Sequence, residues 1–248
     1  MLKNNKLYYL AFIYLLLITS IFINTKNFIP SSSTNNIALI ESPTIATTKT
    51  NSLESTKNLE IINNYIKKYN NNEVVGVISI LNTDYEKAIM QHNDNDYYLN
   101  HLENKKSHYM GSIYLDFRIN IINDKKLLIY GHNSKNITMP FKILENYYNK
   151  SYYQDHQYIK ILTKEKTRLY QIFSVYVETK DFNYMQTDYD NENTWFNHLT
   201  KLKNNSLYET NINIEKNDNI LILQTCSTHK NYQKNKQKYL LVIAKEII

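Results

Sequence analysis

Ile220–Ser227 reads ILILQTCS: four aliphatic residues, then a polar Gln-Thr-Cys-Ser exit. A short apolar run closed by polar residues fits a buried strand. The run does not stand alone. Glu73–Leu81 (EVVGVISIL), Ala88–Gln91, Gly111–Phe117, Lys126–Tyr130, Tyr158–Leu162, Arg168–Thr179 and Tyr239–Ala244 share its β-branched, aliphatic and aromatic character. Helical spacing is confined to Leu59–Ile66, Lys142–Tyr148 and Trp195–Leu202. Strands and helices do not alternate, so a parallel βαβ sheet is disfavoured. Many strands at short intervals predict a mainly β fold, a mostly antiparallel barrel or sandwich with a few helices.

Composition narrows the chemistry. The chain has 248 residues but only three glycines, about 1.2% against a typical ~7%. A dinucleotide fingerprint or a P-loop would consume most of that supply. One Cys excludes a disulfide framework within the monomer and any Cys-based zinc or iron–sulfur site. No His pair with an intervening Glu has zincin spacing, so no metal or cofactor is expected. Arg118 and Arg168 are the only arginines among 29 basic residues, and Asn, Lys, Ile and Tyr are abundant. The formal net charge of +6 is modest and spread out, a solubility term rather than a nucleic-acid footprint.

The N-terminus carries an address. Leu7–Ile23 (LYYLAFIYLLLITSIFI) is uncharged, and Lys3 and Lys6 precede it. Seventeen uncharged, mostly apolar residues reach the lower end of a spanning helix. The flanking lysines would hold the N-terminus in the cytoplasm. A cleaved signal peptide competes with this, but no small-residue cleavage site follows. The expected organisation is a cytoplasmic tail (1–6), a single-pass membrane anchor (7–24), a Ser/Thr-rich extracellular stalk (25–56) and a catalytic domain (57–248).

Two positions carry nucleophilic chemistry. Cys226 ends a strand, where a barrel rim can present a side chain from rigid backbone. A thiol attacks as thiolate and needs a nearby His or cation; a lone Cys is otherwise a small buried hydrophobe. His132 also follows a strand, in LLIYGHNS, directly after Gly131. Cys226 and His132 are distant in sequence, so only the fold can join them.

From Asn72 onward the chain resembles the sortases, and among them class B. The blocks, in family order, are NEVVGVISI (Asn72–Ile80), QHNDNDYYLNH (Gln91–His101), GSIYLDFR (Gly111–Arg118), LLIYGHNSKNITMPFKILENY (Leu127–Tyr147), HQYIKILTKEKTRLYQIFSVY (His156–Tyr176) and LILQTC (Leu221–Cys226). The resemblance implies a closed β-barrel of about eight strands, with N-terminal helices and an added helix before the Cys-bearing strand. It implies a cysteine transpeptidase of Gram-positive cell surfaces. Such an enzyme cleaves a C-terminal sorting signal, Asn-Pro-x-Thr-(Asn/Gly)-like in class B, after Thr. It then transfers the protein through a thioacyl-enzyme to a cell-wall or pilin amine. Cys226 would be the nucleophile and His132 the acid–base, with Thr225 and Asn133 in support. The implied partners are signal-bearing surface proteins, an amine acceptor and the membrane; nucleic acid is not among them.

One departure is serious. Sortases carry an Arg on the last strand that holds substrate and stabilises the oxyanion; here that strand is KQKYLLVIAKEII (Lys236–Ile248). Register places Tyr239 at the Arg position, and a one-residue bulge places Lys238 there. Gln224, where class B usually has Ser, is a second departure. The missing Arg keeps open a catalytically weakened or dead sortase-like binding module. A papain-like peptidase fits worse, because that fold puts Cys on a helix before the His. Asp116 and Arg118 read as an ion pair shaping the barrel, and Trp195 as a packing anchor.

Overall fold

The structure is a computed structural model that describes residues 43–248, with side chains from residue 53. Among the described residues eight strands close into one barrel: β1 (Val74–Ile80), β2 (Glu86–Met90), β3 (Tyr114–Leu115), β4 (Lys126–Tyr130), β5 (Tyr158–Leu162), β6 (Thr167–Glu178), β7 (Ile220–Cys226) and β8 (Tyr239–Glu246). Their order around the barrel is β1-β2-β3-β4-β7-β8-β6-β5, with β5 returning to β1. The expected β-barrel is therefore present. Most pairs are antiparallel, but β2 with β3 and β4 with β7 are parallel. The second exception matters most. β4 (KLLIY) is buried along its whole length, as is the aliphatic part of β7. Near-continuous apolar runs of this kind suit a strand covered on both faces.

Three α-helices accompany the barrel among the described residues. α1 (Pro43–Tyr69) starts earlier than the expected domain boundary, so residues 43–56 of the expected stalk are helical. Pro43 fits a helix start, since its missing N–H is not needed there. Downstream, Glu54 accepts from Thr167 N at 3.2 Å and Asn58 Nδ2 donates to Thr167 Oγ1 at 3.1 Å. These bonds dock the helix on β6 despite its weak helix formers. It ends where Asn70 takes a φ of 51° and Asn71 N bonds Ile66 O, a Schellman-type stop. α2 (Lys150–Asp155) was not legible in the sequence; the preceding Lys142–Tyr148, expected as a helix, is a 3-10 helix that breaks at extended Asn149. α3 (Glu192–Asn204) is the expected added helix. A capping box of Asn191 and Thr194 starts it, and Trp195, His198, Leu199 and Leu202 form its buried face.

The expected membrane placement needs correction. Among the described residues no helix is long and apolar enough to cross a membrane. α1, the longest, carries Glu54, Lys57, Glu60, Lys67 and Lys68. The expected tail and anchor, residues 1–24, lie outside the described residues, as does the stalk up to residue 42.

The expected Gly111–Phe117 strand shrinks to Tyr114–Leu115. Gly111 has a φ of +59°, and a Cβ there would sit 2.4 Å from Tyr98 O and 2.6 Å from Leu99 O. The segment turns over the Tyr98–Leu99 backbone instead of pairing in the sheet.

Candidate active site

Parallel pairing sends the ends of β4 and β7 to the same rim. The register matches Tyr130 with Gln224, and Gly131 N continues the ladder to Gln224 O at 3.2 Å. His132 and Cys226 each lie two residues beyond that matched pair. Adjacent strands lie about 4.8 Å apart, so residues far apart in the chain become lateral neighbours. Two side chains stitch the strand exits together. Thr225 Oγ1 donates to Gly131 O at 2.7 Å, and Asn133 Nδ2 donates to Cys226 O at 2.9 Å.

His132 is oriented by backbone. Its Nε2 lies 2.8 Å from Leu99 O. A carbonyl can only accept, so Nε2 carries a hydrogen, and in the neutral ring Nδ1 is left as the free acceptor. The Leu99 carbonyl is itself held under Gly111. On the other side, Gly131 faces the Phe141 ring so closely that a Cβ would stand 2.6 Å from it, and Phe141 N bonds His132 O at 3.0 Å.

Cys226 is exposed at the rim. The protein packed about it still desolvates the thiol and raises its pKa, while the charge of Lys238 opposes that rise. At neutral pH the resting residue is therefore a thiol, and its proton must leave before attack.

The two candidates for the missing arginine differ in geometry. Tyr239 is the direct antiparallel partner of Cys226, so both side chains share a face. Its ring meets Phe182 edge-on at 5.6 Å. Lys238 precedes β8; its Nζ donates to Asn235 O at 3.0 Å within the β7–β8 loop. Gln224 accepts from Tyr184 OH at 3.1 Å, which ties the β7 end to the loop after β6.

Neither arginine is available to the site. Arg118 forks onto Asp116, Nε to Oδ1 at 2.8 Å and Nη2 to Oδ2 at 2.7 Å. Asp116 is fully buried and also accepts from Tyr130 OH and Asn95. Arg168 forks onto Glu246 at 2.8 and 2.7 Å. Trp195 packs in α3, as expected. Sequence reasoning missed the Leu99 carbonyl, Glu145 and Tyr184. A cavity of about 560 Å³ beside Arg118, Lys126 and Trp195 lies at the start of β4, away from the rim that holds Cys226 and His132.

Comparison with known proteins agrees with this fold. The family model described as the Sortase domain matches residues 78–247. Sortase B of Listeria monocytogenes is 35% identical over 167 residues, 67% of this chain and 68% of the relative. A sortase B solved in complex with triglycine superposes with a TM-score of 0.66 at 27% identity, covering 82% of this chain and 98% of that one. A Staphylococcus aureus sortase B–substrate complex gives a TM-score of 0.65 with the same identity and coverage.

Proposed function

The chain belongs to the sortase family, and from that premise we propose how its cysteine transpeptidase activity runs and on what. The proposed substrate is a protein with a C-terminal sorting signal of the Asn-Pro-x-Thr-(Asn/Gly) type. The proposed acceptor is a cell-wall or pilin amine. The single observation that carries the site assignment is the parallel β4–β7 pairing, which sends the strand exits bearing His132 and Cys226 to one rim.

Cys226 Sγ, once its proton has passed to His132, attacks the Thr carbonyl carbon. The tetrahedral oxyanion collapses and the scissile C–N bond breaks. The leaving amine takes a proton from imidazolium His132, and a thioester remains on Cys226. The acceptor amine then attacks that thioester, gives a proton to His132, and the thiolate leaves. Acid–base help of this kind is worth roughly 10²–10⁴-fold. For the oxyanion, position favours Tyr239, which offers an O–H on the Cys226 face, and charge favours Lys238, whose field already reaches the thiol. We assign donation to Tyr239 and electrostatic support to Lys238, a division of what an arginine fork does in one group. Thr225 and Asn133 hold the two strand ends in register.

The known relatives support the choice of partners: one sortase B has been solved with a substrate and one with triglycine, a peptide with a free amine. The missing arginine is the observation that favours the rival reading of a weakened or dead sortase-like binding module. The test is to incubate the full chain with Asn-Pro-x-Thr and Leu-Pro-x-Thr peptides, with and without triglycine, and to follow products and Cys226 adducts by mass spectrometry. An acyl-enzyme on Cys226 that resolves to the triglycine product is expected. Cleavage that persists in Cys226→Ala would overturn the mechanism, and no adduct with any signal would support the binding module.

A further inference from the structure

The strand ladders end close to the chemistry. β4 ends at Tyr130, with Gly131 N still on Gln224 O, and β7 ends at Cys226, with Ser227 N still on Lys238 O at 2.9 Å. From His132 and from Thr228 onward the two segments leave the sheet. The short 3-10 helix Lys142–Tyr148 supplies restraints to both. Lys142 Nζ donates to Ser134 O at 2.9 Å, and Ser134 lies two residues after His132. Glu145 Oε1 accepts from Thr228 N at 2.9 Å and also from Thr228 Oγ1, and Thr228 lies two residues after Cys226. Lys142 and Glu145 then bond each other, Nζ to Oε2 at 2.9 Å. On the next turn Tyr148 OH shares a hydrogen bond with Ser227 Oγ at 2.6 Å.

We propose that the Lys142–Glu145 ion pair is a yoke that sets the spacing of His132 and Cys226, and that both are positioning residues for acyl transfer. One arm grips the exit from the His132 strand and the other the exit from the Cys226 strand. The cross-link between the arms is one ion pair on a single helical turn. Misplacing a reacting group by about 1 Å can cost roughly 10²-fold in rate. A partly exposed ion pair adds little to the stability of a fold. The yoke is thus a small element of stability and a large element of geometry, and those two effects separate in experiment.

This inference rests on the assignment of Cys226 and His132 above. The test measures kcat, KM and the urea midpoint of the full chain for Glu145→Gln, Lys142→Met, the double variant and Lys142→Arg. Each of the first two is expected to lower kcat by about tenfold or more, with KM and the urea midpoint nearly unchanged. The double variant is expected to fall no further than the worse single variant, because one yoke breaks only once. Lys142→Arg, which keeps charge and reach, is expected to recover most of the rate. The proposal is overturned if Glu145→Gln keeps the kcat of the unmodified chain. It is equally overturned if the two losses multiply in the double variant, or if Lys142→Arg is as slow as Lys142→Met. If the unmodified chain forms no acyl-enzyme on Cys226, the site assignment itself fails and the yoke falls with it, a result distinct from the others.

Discussion

At Cys226, desolvation and charge pull in opposite directions, and desolvation wins. Alkylation of the thiol should therefore rise with pH along a curve displaced above that of a free cysteine. Lys238→Met removes the opposing cation and is expected to displace the curve further upward; a downward or absent shift in iodoacetamide rates would deny Lys238 its role. Tyr239→Phe keeps the ring against Phe182 but deletes the O–H. Loss of one oxyanion donor typically costs about 10²–10³-fold in kcat, and a drop of that size with unchanged KM is expected in steady-state kinetics. Gly111→Ala should destabilise by of order 1–3 kcal/mol in urea unfolding, since φ is +59° and the new Cβ would meet two carbonyls. Because Leu99 O is one of them, the same variant should also loosen His132. Motif order singled out Cys226 and His132, but nothing in the sequence pointed to the Leu99 carbonyl beside His132. A backbone acceptor leaves no side-chain signature, and only the folded path of residues 97–111 brings it to His132.

At the scale of elements, β4 and β7 show where sequence patterning stops. Their apolar runs marked them as strands, yet nothing local told that they pair in parallel, because pairing is a relation between distant segments. Lys142 and Glu145 fared similarly. At i,i+3 spacing they look like any exposed helix pair, and only their grip on Ser134 and Thr228 makes them distinctive. The two arginine forks bind elements together as well. Arg168 of β6 is 1% exposed and forks onto Glu246 of β8. Glu246→Gln would leave a buried guanidinium without its counter-charge, and a loss of about 3–5 kcal/mol is expected from urea unfolding. The pair also sets an acid limit. The Glu246 carboxyl is held below its ordinary range chiefly by Arg168, against the upward push of burial, and the Asp116 carboxyl likewise by Arg118. A depressed folded pKa contributes stability above the unfolded value. That contribution should drain away as pH falls from about 4 through the lower folded values, visible as a falling urea midpoint.

Taken as a whole molecule, the barrel was legible and the helix of residues 43–56 was not. Seven apolar runs and one truncated one became the eight strands, since buried strands need such sequences wherever they pair. The helical state of residues 43–56 was not readable because Ser, Thr and Asn there argue weakly against helix, while Glu54 and Asn58 hold that helix on the barrel. The scarcity of arginine also gains a meaning at this scale. Both arginines fork onto carboxylates, and the residues beside Cys226 on the last strand and its approach are Tyr239 and Lys238. Finally, β8 follows every other strand in the chain but sits between β7 and β6. The wall of the barrel stays open until those residues, ending in Tyr170-to-Glu246 pairing, arrive. A polypeptide cut before Tyr239 lacks the strand that pairs with both β7 and β6, Cys226 included. Such a truncated chain is expected to leave its thiol open to alkylating reagents at the rate of an unfolded cysteine.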